Sequence, residues 1–398
     1  MTTSNATTYT PSGQSSATSR SGHGKRVLVA MSGGVDSSVT AALLKTQGYE
    51  VIGVHMQLWN HGEANLERMG GRCCSLIDSN DARRVCDKID VPYYVINAQD
   101  VFQEKVVDYF VHEYLENRTP NPCVQCNTKI KFNYLFQKAD ELDCEFVATG
   151  HYAQVEQDEL AGVARLKKAI DPQKDQTYFL FGLTQKALQR TLMPLGAFPK
   201  MAVRKLAEEY GLAVAKKADS QEICFIGTEG YKNFLEERVT PELRPRGVIK
   251  TIDGTIVGEH EGLHRYTIGQ RKGLQQLLER GGKQFEDYFV VDFDTVNHSL
   301  IVGPEELLYT KELIATEVNW LNFPKTENAL RGVACRARIR SRHEEAECLV
   351  TTFENNSVHV EFKEAQRAIT PGQAVVFYVD NEVIGGGFID KVIRPKTV

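Results

Sequence analysis

The sequence predicts an α/β protein that begins with a doubly wound parallel sheet and continues into a small β-rich central domain and a C-terminal β-barrel. Three observations support this fold class. From Lys25 to about residue 228, short apolar runs alternate with segments of helical periodicity, as in parallel sheets with helical crossovers. The first apolar run ends in a Ser-Gly-Gly turn, the kind of place where such sheets bind ligands. Beyond residue 228, short β-branched segments are separated by Gly, Pro and Asp.

The individual elements follow from local patterns. The first helix, for example, carries Val39, Leu43 and Leu44 at helical spacing and stops before Gly48. In the first half, strands are predicted at 26–31, 50–56, 93–96 and 145–149, and helices at 37–47, 78–89 and 101–115. In the second half, strands are predicted at 247–252, 288–292, 299–302 and 374–378.

These patterns divide the chain into four parts. Residues 1–24 are rich in Ser, Thr, Gly and Asn and contain no acid, which predicts a flexible tail. An organelle transit peptide has a similar composition, but it usually carries several arginines. The predicted domains are a nucleotide-binding catalytic domain at 25–228, a small β-rich central domain at 229–298 and a C-terminal β-barrel at 299–398.

Composition excludes several classes of protein. The chain has 398 residues, is 42% hydrophobic and contains no apolar run long enough to span a bilayer, so a membrane protein, a coiled coil and a wholly disordered chain are excluded. The nine cysteines are odd in number and few for this length, and no secretory signal is visible. We therefore expect a cytoplasmic protein with reduced cysteines and no membrane partner.

The net charge of −5 does not indicate nucleic-acid binding, but two stretches are locally basic. Neither stretch contains an acidic residue, although such runs are often no more than a solvated face. The basic residues of the first stretch, 117–139, are Arg118, Lys129, Lys131 and Lys138. Those of the second, 331–343, are Arg331, Arg336, Arg338, Arg340 and Arg342.

The segment from Ser32 to Ser38, Ser-Gly-Gly-Val-Asp-Ser-Ser, is the sharpest local motif. Its glycines permit a tight turn, so that backbone N–H groups at the start of the first helix face a common point, as in phosphate sites. Asp36 is a candidate ligand for a divalent cation such as Mg²⁺. The segment lacks the Gly-Lys-Ser/Thr ending of a Walker A loop, and helix capping alone would also explain its Ser and Asp.

Two further segments carry cysteines in chemically suggestive places. Thr119 to Asn127 is a proline-braced turn that presents Cys123 and Cys126 as Cys-x-x-Cys, an arrangement that favours a reactive thiolate. Asp219 to Gly227 is a largely polar turn around Cys224, a residue that packing alone would also explain.

The same residues are compatible with two other classes of function, a zinc-dependent deaminase and a non-catalytic RNA-binding module. Pro122, Cys123 and Cys126, together with His61 and Glu63, match a zinc nucleobase deaminase signature, but the spacing of about sixty residues is long and the Ser-Gly-Gly loop has no role there. A non-catalytic RNA-binding module would explain the basic stretches, but it would explain neither the loop nor the paired cysteines.

The Ser-Gly-Gly-x-Asp-Ser loop resembles the pyrophosphate loop of the ATP pyrophosphatase superfamily, which includes GMP synthetase, NAD synthetase and RNA-thiolating enzymes. Further motifs, in the same order along the chain, resemble the bacterial tRNA-uridine 2-sulfurtransferases, the 2-thiouridylases of the wobble position. They extend the likeness from about Lys25 to the C-terminus. These motifs are Gly150-His-Tyr152, Lys174 to Phe179, Ile223 to Gly227, Ile268 to Leu274, Thr370 to Gln373 and Val376 to Tyr378.

The resemblance implies ATP-dependent 2-thiolation of the wobble uridine of tRNA. The uridine is flipped into the pocket, its C2 oxygen is adenylated with release of pyrophosphate, and a cysteine persulfide then supplies sulfur and displaces AMP. Cys224 resembles the persulfide-bearing cysteine, and Cys126 resembles its catalytic partner, with which it forms a disulfide that must be reduced. The implied partners are tRNA and a persulfide-donating sulfur carrier or cysteine desulfurase. Another ATP pyrophosphatase-type enzyme is the main alternative.

The resemblance also assigns binding residues. Those assigned to ATP are Ala30, Met31, Ser32, Gly33, Gly34, Val35, Asp36, Ser37, Met56 and Gly150. Those assigned to tRNA are Asn121, Pro122, Cys123, Lys174, Asp175, Gln176, Arg340 and Ser341. Aromatic candidates for stacking on the target base are Phe132, Tyr152 and Tyr178.

The chain departs from the family pattern at two positions. Many relatives have Asp in place of Cys123, so the catalytic role falls to Cys126, three residues on. The extra thiol makes Cys123, Cys126 and Cys224 a set of three soft ligands of the kind that hold an Fe–S cluster with one open iron. Relatives also often carry an aromatic residue in place of Ser341, which weakens the assignment of RNA contact there.

Overall fold

A computed structural model describes residues 22–59, 76–158, 160, 162–219, 223–227, 230–278, 285, 287–322, 332–353 and 355–394. Residues 1–21 of the predicted tail lie outside these ranges, as do His61, Glu63 and Arg331. The deaminase signature and the tail therefore stay predictions from sequence.

The first half of the chain forms a five-stranded parallel sheet, which confirms the predicted fold class. In chain order, the strands of this half are β1 (Arg26–Ala30), β2 (Glu50–Gln57), β3 (Tyr93–Asn97), β4 (Phe146–Ala148), β5 (Ala153–Asp158), β6 (Val163–Lys168) and β7 (Thr191–Leu192). The sheet has the order β3-β2-β1-β4-β7, and its pairs are parallel. Because β1 is central in the sheet and apolar from Val27 to Ala30, its carboxyl end opens onto the middle of the sheet edge, where ligands bind.

Helices cover both faces of this sheet. The helices are α1 (Val35–Thr46), α2 (Leu76–Lys88), α3 (Gln99–Phe102), α4 (Asp108–Leu115), α5 (Pro122–Gln125), α6 (Asn133–Glu141), α7 (Gln185–Gln189), α8 (Lys200–Glu209) and α9 (Gly230–Glu236). Alternate residues of β1 point to opposite faces: Val27 packs with α1, α2 and α8, and Leu28 packs with α3, α4 and α6. A π-helical segment, Cys126–Phe132, joins α5 to α6. Such wide turns are frequent at functional sites.

The central domain is a four-stranded sheet of β8 (Gly247–Thr251), β9 (Ile256–His260), β10 (Phe289–Asp294) and β11 (Ser299–Gly303), in the order β10-β11-β8-β9. Ile249, Val290 and Leu300 are fully buried in its core. Strand β11 pairs with both β10 and β8, so residues 299–303 pair within the central sheet, beyond the boundary that the sequence places after residue 298.

The C-terminal domain is a closed barrel of six strands: β12 (Tyr309–Trp320), β13 (Val333–Arg338), β14 (Ala346–Phe353), β15 (Ser357–Arg367), β16 (Ala374–Val379) and β17 (Glu382–Ile393). Pairing of β12 with β17 closes the barrel, as the sequence predicts. The β5–β6 hairpin of the catalytic domain adds to the same sheet, because Lys167 and Leu166 pair with Glu382 and Val383. Within the described ranges, no helix has the length and apolarity needed to cross a membrane.

Candidate active site

The loop between β1 and α1 is closely tied by its own hydroxyl groups. The Ser32 N–H donates to Ser37 Oγ at 3.1 Å, and Ser38 Oγ donates to Gly34 O at 2.7 Å. Gly33 has φ +74°, and a Cβ at that position would lie 2.2 Å from Asp78 O. A tight glycine turn at the N-terminus of a helix places backbone N–H groups around one point, which is how proteins bind phosphate.

Asp36, in the first turn of α1, is engaged by two side chains from distant parts of the chain. Lys200 Nζ lies 2.8 Å from each of its carboxylate oxygens, and Tyr152 Oη donates to Oδ1 at 2.9 Å. Burial and then the neighbouring Asp36 carboxylate raise the pKa of Tyr152 well above its ordinary value. The phenol therefore stays protonated and serves as a hydrogen-bond donor at any physiological pH.

The loop, the cysteine turn and the Cys224 segment line one cavity of about 410 Å³. This volume is within the usual range of small-molecule sites. The predicted site residues that line it are Ala30, Met31, Ser32, Gly34, Val35, Asp36, Ser37, Met56, Pro122, Cys123, Cys126, Gly150, Lys174, Gln176 and Cys224. Five predicted residues are not part of the lining: Gly33, Asn121, Asp175, Arg340 and Ser341.

The two predicted catalytic cysteines contact the same apolar cluster. Cys126 is 8% exposed and belongs to the cluster beneath Leu28, and half-buried Cys224 packs against that cluster. Cys123 is exposed and lines the same cavity. The cavity therefore holds three thiols next to the glycine loop.

The cysteine turn is fastened to the barrel. Asn121 caps α5, since its Oδ1 accepts from the Val124 N–H at 3.3 Å. The Thr119 N–H donates to Pro371 O at 2.8 Å, and Gln373 Nε2 donates to Thr119 O at 2.9 Å. These bonds fix the turn, and with it Cys123 and Cys126, relative to the C-terminal domain.

The cysteines do not have the arrangement expected of the predicted Fe–S cluster, and Asp36 already has a cationic partner. In the described part of the chain, no three His, Cys, Asp or Glu side chains are arranged to hold a metal ion, so the three thiols do not form an Fe–S site here. Asp36, the residue predicted to bind Mg²⁺, is paired with Lys200 through both carboxylate oxygens and also lines the cavity.

Most of the residues predicted to contact tRNA form ion pairs or hydrogen bonds within the protein, and Ser341 is exposed. Lys174 donates to Asp219 at 2.9 Å, and the Gln176 side chain accepts from the Tyr152 N–H at 2.9 Å. The Asp175 side chain is only 2% exposed. Arg340 donates to the Arg367 carbonyl at 2.9 Å, and Ser341 lies exposed on the barrel.

The aromatic residues singled out for base stacking are packed in the interior. Phe132, Tyr152 and Tyr178 are each 1% exposed; Tyr152 also lines the cavity, whereas Phe132 and Tyr178 do not. Tyr178 donates to Ala374 O at 2.9 Å, and Phe132 stacks on the His151 ring at a centroid distance of 6.1 Å. Their positions beside functional motifs reflect packing that supports the site.

Sequence reasoning missed the charged residues that hold the loop. Lys200 is 164 positions from Asp36, and Lys217 is 184 positions from Gly33, whose carbonyl it binds at 3.0 Å. Lys217 also contacts Asp78 and Asp81, each at 2.7 Å. Burial lowers the pKa of Lys217, but these two carboxylates more than offset it, so the pKa lies above its ordinary value. No local motif marks either lysine.

Comparison with known proteins covers nearly the whole chain. Family models described as tRNA methyl transferase HUP domain, tRNA methyl transferase PRC-barrel domain and aminomethyltransferase beta-barrel domain match residues 25–228, 232–304 and 310–389. The chain is 48% identical to tRNA-specific 2-thiouridylase MnmA 2 of Caldanaerobacter subterraneus subsp. tengcongensis over 93% of this chain and 99% of that protein. It is 47% identical to tRNA-specific 2-thiouridylase MnmA of Geotalea uraniireducens over 94% and 97% of the two chains. The chain belongs to the tRNA-specific 2-thiouridylase family.

Proposed function

We propose that this protein is an ATP-dependent tRNA sulfurtransferase that replaces the C2 oxygen of the wobble uridine with sulfur. The observation that carries the proposal is the shared cavity, in which the glycine loop from Ser32 to Ser37 lies together with Cys126 and Cys224. Family membership supplies the substrate class, since the relatives are named tRNA-specific 2-thiouridylases.

In the first step, ATP binds with its phosphates at the loop and at the N-terminus of α1. The N–H groups there and the helix dipole favour negative charge. The uridine C2 oxygen attacks the α-phosphorus, so an O–P bond forms, the bond to the β-phosphate oxygen breaks and pyrophosphate leaves. Loss of the N3 proton keeps the adenylated base neutral. AMP is then a much better leaving group than the original oxygen.

In the second step, Cys224 carries a persulfide whose terminal sulfur attacks C2 and displaces AMP. The Cys126 thiolate then attacks the Cys224 sulfur, which forms a Cys126–Cys224 disulfide and leaves the terminal sulfur on the base. The two thiols are oxidised and the transferred sulfur is reduced, so the electrons balance. A dithiol reductant restores the enzyme for the next cycle. The apolar cluster that both cysteines contact supports this pairing.

The partners follow from this chemistry. A persulfide-donating carrier or a cysteine desulfurase loads Cys224, and exposed Cys123 lines the same cavity. The tRNA is the substrate class that the names of the relatives supply. Both partners fit a cytoplasmic enzyme.

The test is a thiolation assay with purified protein, unmodified tRNA, Mg-ATP and a persulfide donor, with 2-thiouridine measured by mass spectrometry. We expect product only with ATP, and none from Cys224→Ser or Cys126→Ser. Cys335→Ser is a matched control, because Cys335 lies in the barrel, 3.7 Å from Cys348, and should keep wild-type activity. Thiolation without ATP, or full activity of Cys224→Ser, would refute the proposal.

A further inference from the structure

A carboxylate inside a phosphate-binding loop repels the phosphates that the loop is to bind. Asp36 sits in the first turn of α1, among the N–H groups that would receive the phosphates. Two negative groups a few ångströms apart repel each other strongly in a partly desolvated cavity. The loop binds a polyphosphate well only if the charge of Asp36 is cancelled by a cation.

The structure supplies that cation from α8. Lys200 is the first residue of α8 and only 8% exposed, and its ammonium contacts both oxygens of Asp36 at 2.8 Å. The same ammonium lies 5.5 Å from the centre of the Tyr152 ring, which favours a cation. Lys200 also lines the cavity, so its charge faces the space that the nucleotide would fill.

Lys200 is itself held by a second carboxylate. Its Nζ lies 2.9 Å from Asp219 Oδ1, and Asp219 also accepts from Lys174 and Arg204, each at 2.9 Å. Burial raises the pKa of Asp219, but the hydrogen bonds from Lys174 and Lys200 outweigh it and hold the pKa below its usual value. Asp219 therefore stays ionised and fixes the ammonium between the two carboxylates.

We propose that Lys200 is the positioning residue that neutralises Asp36 and so makes the glycine loop competent to bind the phosphates of the nucleotide. The inference rests on the proposed nucleotide site and deepens it. It assigns the task of charge cancellation to a side chain of the protein, where a carboxylate in such a loop would otherwise suggest a bound Mg²⁺. The ion pair satisfies both Asp36 oxygens in the conformation seen here.

The test measures equilibrium binding of α,β-methylene-ATP by calorimetry. Lys200→Met leaves Asp36 without its counter-charge, and we expect affinity to fall by at least about 30-fold. The double variant Asp36→Asn/Lys200→Met removes both charges, and we expect it to recover to within about fivefold of wild type, because coupled sites are not additive. Lys205→Met, on the exposed side of the same helix, is the matched control and should bind as wild type does.

Three results would overturn the proposal. The first is unchanged affinity of Lys200→Met. The second is failure of the double variant to recover while its thermal denaturation matches that of wild type. The third concerns Mg²⁺. We expect the ratio of analogue affinities with and without Mg²⁺ to be the same in wild type and in the double variant. A ratio that falls toward one in the double variant only would assign Asp36 to Mg²⁺. If the wild-type protein did not bind the analogue at all, the proposed function would be refuted together with this proposal.

Discussion

The guanidinium of Arg338 donates to the Asp175 carboxylate at 3.0 Å, and this ion pair joins the turn beside the cavity to strand β13 of the barrel. The two side chains are only 17% and 2% exposed. Arg338 also binds Glu345 at 2.8 Å and lies 4.9 Å from the centre of the Tyr378 ring. Lys174, the residue directly before Asp175, belongs to the ionic network of the nucleotide loop through its ion pair with Asp219. Adjacent residues thus bind the loop network on one side and the barrel on the other.

Asp175→Asn should therefore act on stability. The variant removes a charged hydrogen-bond acceptor from Arg338 and leaves Glu345 as its carboxylate partner, so we expect the free energy of unfolding to fall by about 2 kcal/mol, measured by urea denaturation. Glu347→Gln is the control, since its ion pair with Lys363 is exposed and should be worth less than about 1 kcal/mol. Unchanged stability with weakened tRNA binding would instead indicate that Asp175 contacts RNA directly.

The two glycines of the loop should differ sharply in their tolerance of alanine. Gly33 has φ +74° and no room, since a Cβ would lie 2.2 Å from Asp78 O. Gly34 has φ −94° and a nearest contact of 3.4 Å. We expect Gly33→Ala to destabilise the protein by about 1–3 kcal/mol and Gly34→Ala to change its stability by less than about 0.5 kcal/mol, as measured by thermal denaturation. Equal effects of the two would show that the turn is not constrained as described.

The free energy of unfolding should be largest when the His55 imidazole is neutral. This residue is 2% exposed, and its Nδ1–H donates to Met31 O at 2.9 Å. Burial lowers the pKa of His55 below its usual value near 6.5, and the hydrogen bond to Met31 only partly offsets this. The unfolded chain therefore binds a proton that the folded protein excludes. Stability is complete above the unfolded pKa and is lost as the pH falls below it.

His55→Gln should remove that part of the pH dependence. In urea denaturation at pH 8 and pH 5.5, we expect wild type to lose more stability on acidification than the variant, by up to about 1.4 kcal/mol per pH unit below 6.5. Some dependence should persist in the variant, because burial also lowers the pKa values of His151 and His260. Identical pH profiles would contradict the assignment.

The exposed lysine of the π-helical segment should contribute to tRNA affinity. Lys129 lies exposed three residues after Cys126, at the edge of the cysteine turn. We expect Lys129→Ala to weaken tRNA binding and to reduce the slope of log affinity against log salt by about 1, as for loss of one phosphate contact. Lys205→Ala, on α8, should leave the slope unchanged, and a similar reduction there would argue for a non-specific charge effect.

Much of the fold could be predicted because it is encoded locally. The apolar run of β1 and the glycine turn that follows it fix the first crossover, and the strands predicted at 50–56 and 93–96 are present as β2 and β3. The attachment of the β5–β6 hairpin to the barrel could not be predicted. It depends on pairing between residues more than 200 positions apart, such as Lys167 and Glu382, and nothing in either segment specifies the other.

In the candidate site too, the features encoded locally could be predicted and those that depend on distant segments could not. The motifs that contain Asp36, Cys126 and Cys224 are visible in the sequence, and the fold brings all three residues to one cavity. Lys200 follows a proline at a helix start and looks like an ordinary surface lysine in the sequence. Its role depends on burial and on two carboxylates supplied by other segments. Charge partners of this kind are a property of tertiary structure.

The most direct test of the central claim follows the oxygen atom. A tRNA carrying ¹⁸O at C2 of the wobble uridine is incubated with the persulfide-loaded enzyme and ATP, and the AMP released in a single turnover is analysed by mass spectrometry. If the cavity joins an adenylated base to the Cys224 persulfide, one ¹⁸O atom appears in the phosphate of AMP for each 2-thiouridine formed. Unlabelled AMP together with 2-thiouridine would show that the base is not adenylated at its C2 oxygen, and would contradict the account.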